Sequence, residues 1–254
     1  MAEGRRGRAM EDRLGAEVVY LFNSGFTVRR GGRIMIFDYC NFTPFNRRKG
    51  LDDGAVNPRE LRDLDVTVFA SHAHMDHFTP AVLKWGRDIP KLRYVLSYDI
   101  NAGKTPNVTT AYPDAVIDAG DIRVRTLKST DEGVAFIVEA DGLKIYHAGD
   151  LNWWHWEGEP EGENQAMAEA YKGEINKIKG ETFDIAFVPV DPRLENEYLW
   201  GLDYFMKNCG AKVIFPMHFR NACSIFDRLL ADPAAEGYRD RVVKITRRGE
   251  RFEV

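Results

Sequence analysis

Half of this chain's histidines fall in one short stretch. The segment SHAHMDHF, residues 71–78, carries His72, His74, Asp76 and His77, while the full 254 residues hold six histidines in all. It follows at once on DVTVFA (65–70), an apolar run of the kind a buried strand shows. Thr79 then makes a good N-cap, with Pro80 at the first helical position, so a helix is expected through about Trp85. Imidazoles and a carboxylate gathered in a partly buried strand-to-helix loop lose hydration with little return unless they bind something. Residues two apart in extended backbone share a side, so His72 and His74 point the same way. Asp76 and His77 come where the chain turns, and their side chains splay toward a second point nearby. One loop can thus feed two adjacent metal positions, and this donor set suits zinc, manganese or iron.

The rest of the composition narrows the setting. At 254 residues, with 44% hydrophobic content, the chain can bury a real core. It shows no internal repeat, low-complexity tract or Pro/Gly/Ser-rich linker. A single domain over residues 15–254 is expected, preceded by a flexible, basic arm over 1–14. No run approaches the roughly 18 apolar residues that span a bilayer, and the polar start lacks the apolar region of a secretory signal. Cys40, Cys209 and Cys223 form no CxxC pair and read as reduced thiols, so a cytoplasmic protein without membrane contact is expected. A net charge of -4 gives no basic footprint, which disfavours nucleic acid as a partner and leaves a small-molecule substrate. The basic C-terminal stretch RDRVVKITRRGERFEV reads as a solvated strand edge.

AEVVYLF and RIMIFDY read as strands joined through NSGFTVRRGG, and the turn-rich stretch 41–60 reads as a long loop. LRYVLS and IRVRTL are further strands, and GVAFIVEADGLKIYHAGD is a hairpin turning at ADG. ENQAMAEAYKGEINKIKG, NEYLWGLDYFMKN and SIFDRLLAD are helical candidates, with FDIAFVPV and AKVIFPM as buried strands among them. Hairpins early and strand–helix alternation later define a layered α/β sandwich.

Two of these strands end on residues that complete a metal site: IYHAGD ends on Asp150, and IFPMHF carries His218. HxHxDH, then GD after a hairpin, then a histidine at a later strand end resembles the metallo-β-lactamase superfamily over roughly residues 17–220. That resemblance implies a four-layer αββα sandwich with a one- or two-metal site at the open edge of its sheets. It implies His72 and His74 on a first metal, Asp76, His77 and His218 on a second, and Asp150 between them. The second histidine of the motif is intact where the flavodiiron branch carries glutamate, and His77 directly follows Asp76, unlike the true β-lactamases. Both details point to the hydrolase branch.

The pattern breaks at one point. The superfamily supplies a third histidine to the first metal, but no histidine lies between His77 and His147. Where it should fall the chain reads TLKSTDEG (126–133). Three alternatives stand: Asp131, helped by Ser129 or Thr130, supplies oxygen ligands; His147 swings in from the neighbouring strand; or the position is weak or empty, with Lys128 near it. Around Asp150 the stretch HAGDLNWWHW resembles a subgroup of bacterial hydrolases distantly similar to the ascorbate-6-phosphate lactonase. In it Trp153 and His155 are candidate substrate-binding residues. Arg193 could hold an anionic group or serve a structural ion pair.

The resemblance implies a hydrolase in which one or two divalent ions, zinc first and manganese or iron as alternatives, provide a bound hydroxide oriented by Asp76 and Asp150. A lactone, an ester or a phosphorylated metabolite fits as substrate. A nuclease or phosphodiesterase, and a metal-binding protein without turnover, are the rival readings.

Overall fold

Strands that are apolar on both faces must be covered on both, and those of this chain are. The computed structural model describes residues 14–40 and 50–254. The arm expected over 1–14, apart from Leu14, and the part 41–49 of the expected loop lie outside the described residues. In chain order come β1 (Glu17–Phe22), β2 (Gly25–Arg30), β3 (Arg33–Phe37), β4 (Asp65–Ala70), β5 (Leu92–Ser97) and β6 (Val108–Ala111). There follow β7 (Val116–Ala119), β8 (Ile122–Lys128), β9 (Val134–Ala140), β10 (Leu143–His147) and helix α1 (Glu161–Asn176). The chain closes with β11 (Thr182–Pro189), α2 (Trp200–Asn208), β12 (Gly210–Met217), α3 (Ile225–Ala231) and β13 (Arg251–Glu253).

The strands form a seven-stranded sheet, ordered β13-β1-β2-β3-β4-β5-β6, and a six-stranded sheet, ordered β12-β11-β10-β9-β8-β7. In the first, β3 to β6 run parallel. In the second, β10, β11 and β12 do. Alternation along each strand decides which side a residue serves. Val18 and Tyr20 of β1, Met35 and Phe37 of β3 and Phe69 of β4 enter the core between the sheets. Their neighbours Val19, Leu21, Ile34, Ile36, Val66 and Val68 enter a second cluster on the outer face. The four-layer sandwich is therefore present, with α2 packed on β11, β12 and α1 outside the second sheet.

Local departures from the sequence reading have local causes. The segment after Thr79 is a 3-10 helix, Pro80–Arg87, although Thr79 caps it as expected by accepting from the Ala81 N–H. Its buried residues Val82 and Trp85 are three apart, a spacing that three residues per turn stack on one face. GFTVRR is strand β2 rather than connection; glycine- and arginine-rich flanks disguised it. The basic C-terminal stretch supplies β13, whose Arg251 pairs with Glu17 and Asp52 at the sheet edge.

The parallel strands place their C-terminal ends on one edge, and backbone bonds join the two sheets there. The Val134 N–H donates to the Ser71 carbonyl at 2.9 Å, and the His218 N–H donates to Asn23 at 3.2 Å. The approach at Ser71 leaves no room for side chains. A Cβ on Gly133 would lie 1.9 Å from the Ser71 carbonyl oxygen, and one on Gly149 would lie 2.6 Å from the Ser71 Cβ. Both glycines also have positive φ, +72° and +53°. At the opposite edge Arg33, almost fully buried, pairs with Asp65, Asp121 and Asp141.

Gly31, with φ +57° and nothing within 4 Å of its would-be Cβ, serves as the control for Gly133. Gly31→Ala is expected to cost about 1 kcal/mol, the penalty of the left-handed conformation alone. Gly133→Ala should cost at least about 2 kcal/mol more, because the joined edge must open. Urea denaturation of both variants measures this, and equal losses would show that the sheets are not locked at Ser71.

Candidate metal centre

Leaving β4 at Ala70, the chain buries His72 and exposes His74, with the two rings 4.7 Å apart. The N–H groups of His77 and Phe78 both donate to the His74 carbonyl at 2.9 Å. That turn carries Asp76 and His77 to a second point. Asp150 arrives from β10 and His218 from β12, so the segments that follow three separate strands meet.

Three donor groups have ligand atoms within 4.8 Å of one another: His72, His74 and Asp131; His72, His77 and Asp150; and Asp76, His77 and His218. Asp150 faces both sides. Its Oδ2 lies 3.7 Å from His72 Nε2, and its Oδ1 lies 3.2 Å from His77 Nε2 and 3.5 Å from His218 Nε2.

The outer contacts of these rings fix which nitrogen faces inward. Asp38, at the end of β3, is fully buried and accepts from the Ser71 N–H and hydroxyl, each at 2.7 Å, and from His77 Nδ1 at 2.7 Å. With its proton given to Asp38, the Ser71 hydroxyl is left to accept from His72 Nδ1 at 3.0 Å. Asp191, following β11, accepts from His218 Nδ1 at 2.8 Å. Asn23 donates to Asp76 at 3.2 Å. His72, His77 and His218 therefore each turn Nε2 toward Asp150, the orientation that outer partners impose on metal-binding imidazoles. Nε2 of His72 and His77 and Oδ1 of Asp150 are buried without a hydrogen-bond partner among the described residues. Orphaned polar atoms of this kind are costly, and a cation among them would satisfy all three. The residues fit a divalent ion.

Charge is arranged to match. Burial pushes His72 down to about 4, helped by His77. Burial also opposes charge on His218, but Asp150 and Asp191 outweigh it and push the ring up to about 10. His77 is raised in the same way, Asp150 and Asp38 overcoming burial. Burial would raise Asp150, yet His77 and His218 hold it far below the usual carboxylate range.

The remaining residues singled out in the sequence separate cleanly. Asp131 comes within 3.7 Å of His74, in the place where the third histidine was sought. The Ser129 hydroxyl accepts from the Asp131 N–H, and Thr130 donates to the Asn152 carbonyl, so both shape the loop. His147 is turned away: its Nε2 donates to the Ser24 carbonyl at 2.9 Å, and its Nδ1 accepts from the Gly149 N–H at 3.2 Å. Neither nitrogen has a lone pair to offer an ion, which corrects its candidacy. Lys128 is an exposed strand lysine.

Trp153 and His155 pack against Trp200, outside the cavity beside the centre. Trp154 and Trp156 are the residues of this stretch that lie beside the centre. These two stack in parallel, Trp154 sets its ring edge-on to His218, and both line a cavity of about 250 Å³ with Asp131, Asp150 and Arg193. The backbone after β10 is irregular, so the side facing the centre has no readable period. Asp38 and Asn23 were missed altogether; an aspartate closing the strand RIMIFDY was the one available signal.

A family-wide pattern described as a beta-lactamase superfamily domain matches residues 17–157, more than half of the chain. The chain belongs to that superfamily. A UPF0173 metal-dependent hydrolase from Thermococcus onnurineus is 30% identical over 148 residues, which are 53% of this chain and 61% of the relative. The chain thus matches about three-fifths of that relative's length. Among solved structures, Igni18, a metallo hydrolase from Ignicoccus hospitalis, shares the fold at TM-score 0.62 and 17% identity, over 94% of this chain and 99% of its own. So does CmlA, a diiron β-hydroxylase from Streptomyces venezuelae, at TM-score 0.55 and 12% identity, over 94% of this chain and 54% of its own.

Raised to about 10, His218 carries a proton near neutral pH when no ion is bound, and His77 is shifted in the same direction by Asp150 and Asp38. An ion needs their neutral form. Uptake of zinc near neutral pH should release protons, and apparent affinity should rise with pH until His218 loses its proton near 10. Calorimetry in buffers of different ionisation enthalpy reads this directly; a heat independent of buffer would contradict it.

Proposed function

We propose that this chain is a metal-dependent hydrolase of a small molecule. The observation that carries the reading is the inward set of unpartnered atoms on His72, His77 and Asp150. Two ligand sets follow from it: His72, His74 and Asp131 on one side, Asp76, His77 and His218 on the other, with Asp150 shared. The likeness to the Thermococcus metal-dependent hydrolase supports the activity class. A divalent ion there, zinc first and manganese or iron as alternatives, would supply Lewis acidity and lower the pKa of water from 15.7 toward roughly 7.

The chain's own residues supply the rest. Asp150, kept ionised, offers an acceptor that orients the attacking water, and Asp76, whose Oδ2 accepts from Asn23, offers a second. Trp154 and Trp156 form a wall that limits water access to the cavity. Arg193 is fixed through Nε and Nη2 by Asp191 and lies 5.3 Å above Trp156. Its structural ion pair pre-sets the guanidinium, and Nη1 stays available to an anionic group on the substrate. A lactone, an ester or a phosphorylated metabolite fits this cavity. A cytoplasmic setting belongs to the same reading, since no disulfide joins Cys40, Cys209 or Cys223 and no described helix is long and apolar enough to cross a membrane.

A panel of lactones, carboxylic esters and phosphomonoesters, offered to zinc- or manganese-loaded protein, tests the proposal. Turnover of at least one class is expected, lost with chelator and with Asp150→Ala. Arg193→Gln should raise KM for an anionic substrate roughly 10–100-fold, as loss of a charge-assisted contact does, with kcat little changed. Metal bound with no turnover across the panel would favour a binding protein instead.

A further inference from the structure

We propose that the two ion positions are unequal by construction: an inner one on Asp76, His77 and His218 keeps its ion, and an outer one on His72, His74 and Asp131 exchanges it. This rests on the metal reading above. The two positions share a donor count, two imidazoles and one carboxylate each, with Asp150 between them. Donor count therefore does not rank them. Their surroundings do.

Every inner ligand has a hydrogen-bond partner in the protein. His77 is held by Asp38 at 2.7 Å, His218 by Asp191 at 2.8 Å and Asp76 by Asn23 at 3.2 Å. Exposure of these three side chains is 0%, 4% and 23%. The outer pair is different. His74 and Asp131 are 53% and 46% exposed, and among the described residues neither the His74 ring nor the Asp131 carboxylate has a hydrogen bond from the protein. Only His72 is braced there, through Ser71. Loss of an outer partner typically weakens a metal site about 10–100-fold, and here two are missing. A carboxylate also stands where the superfamily pattern calls for a third imidazole. Both side chains must in addition give up rotamer freedom that the inner ligands lost on folding.

Titration of Mn²⁺ into metal-free protein, followed by calorimetry, measures both positions, and metal content after dialysis checks the result. Wild type should bind with two dissociation constants at least about 100-fold apart, the product of two missing partners at the low end of their range. About one ion per chain should remain after dialysis. Asp131→Ala should remove the weaker phase and spare the tighter, whereas His218→Ala should remove the tighter. Asp131→His, which restores an imidazole at a half-exposed position that folds around no core contact, should bring the two constants at least about 10-fold closer. Two indistinguishable constants in wild type, or loss of the tight phase in Asp131→Ala, would overturn the ranking. Absence of any retained ion, with His218→Ala and wild type alike, would overturn the metal reading itself.

Discussion

Three carboxylates, Asp38, Asp150 and Asp191, are almost completely buried at one edge of this sandwich. Buried charge is tolerated only where it is paired and hydrogen-bonded, and here the imidazoles of His77 and His218 do the pairing, with the Arg193 guanidinium at Asp191. Asp38 fastens His77 and Ser71 to the end of β3, Asp191 fastens His218 to the end of β11, and Asp150 is left facing the rings from inside. Remove the histidines and the edge would hold uncompensated negative charge; remove the carboxylates and the rings would lose their orientation. The centre is thus a constraint on the fold as much as a product of it.

The fold is built to deliver that edge. Parallel strands in both sheets end on the same side, so residues distant in sequence, such as Asp38, Asp150 and His218, converge without a long loop to carry them. The glycines at 133 and 149 allow the second sheet to close on Ser71, and Ser71 in turn links Asp38 to His72. Packing and chemistry are therefore joined at one residue that itself offers no ligand. Around the centre, the Trp154–Trp156 wall and the anchored Arg193 give a small cavity with one apolar face and one cationic corner.

Much of this was legible in the sequence. The crowding at 72–77, the GD ending of β10 and the histidine ending of β12 named most of the inward-facing donors, because each follows a strongly apolar strand whose end is easy to place. The short strands β2, β6 and β7 were not legible, since four to six residues between turn signals carry too little pattern. Outer contacts were hidden for another reason. Asp38 is a single aspartate after a strand, and its value depends on where Ser71 and His77 lie in space. His147 shows the converse: its position beside Asp150 looked useful, yet the bond from the Gly149 N–H commits its lone pair. Between Trp153 and Trp154 the sequence offers no choice at all, because irregular backbone has no period to read.

The claim on which all of this depends is that His72, His77, His218 and Asp150 surround a cation. Crystals of the zinc-loaded protein, measured on both sides of the zinc absorption edge, test it most directly. The account predicts an anomalous peak about 2.0–2.2 Å from the Nε2 atoms of His77 and His218 and from an oxygen of Asp150. A density map without a peak there, or with zinc only at the opposite edge around Asp121 and Asp141, would contradict it.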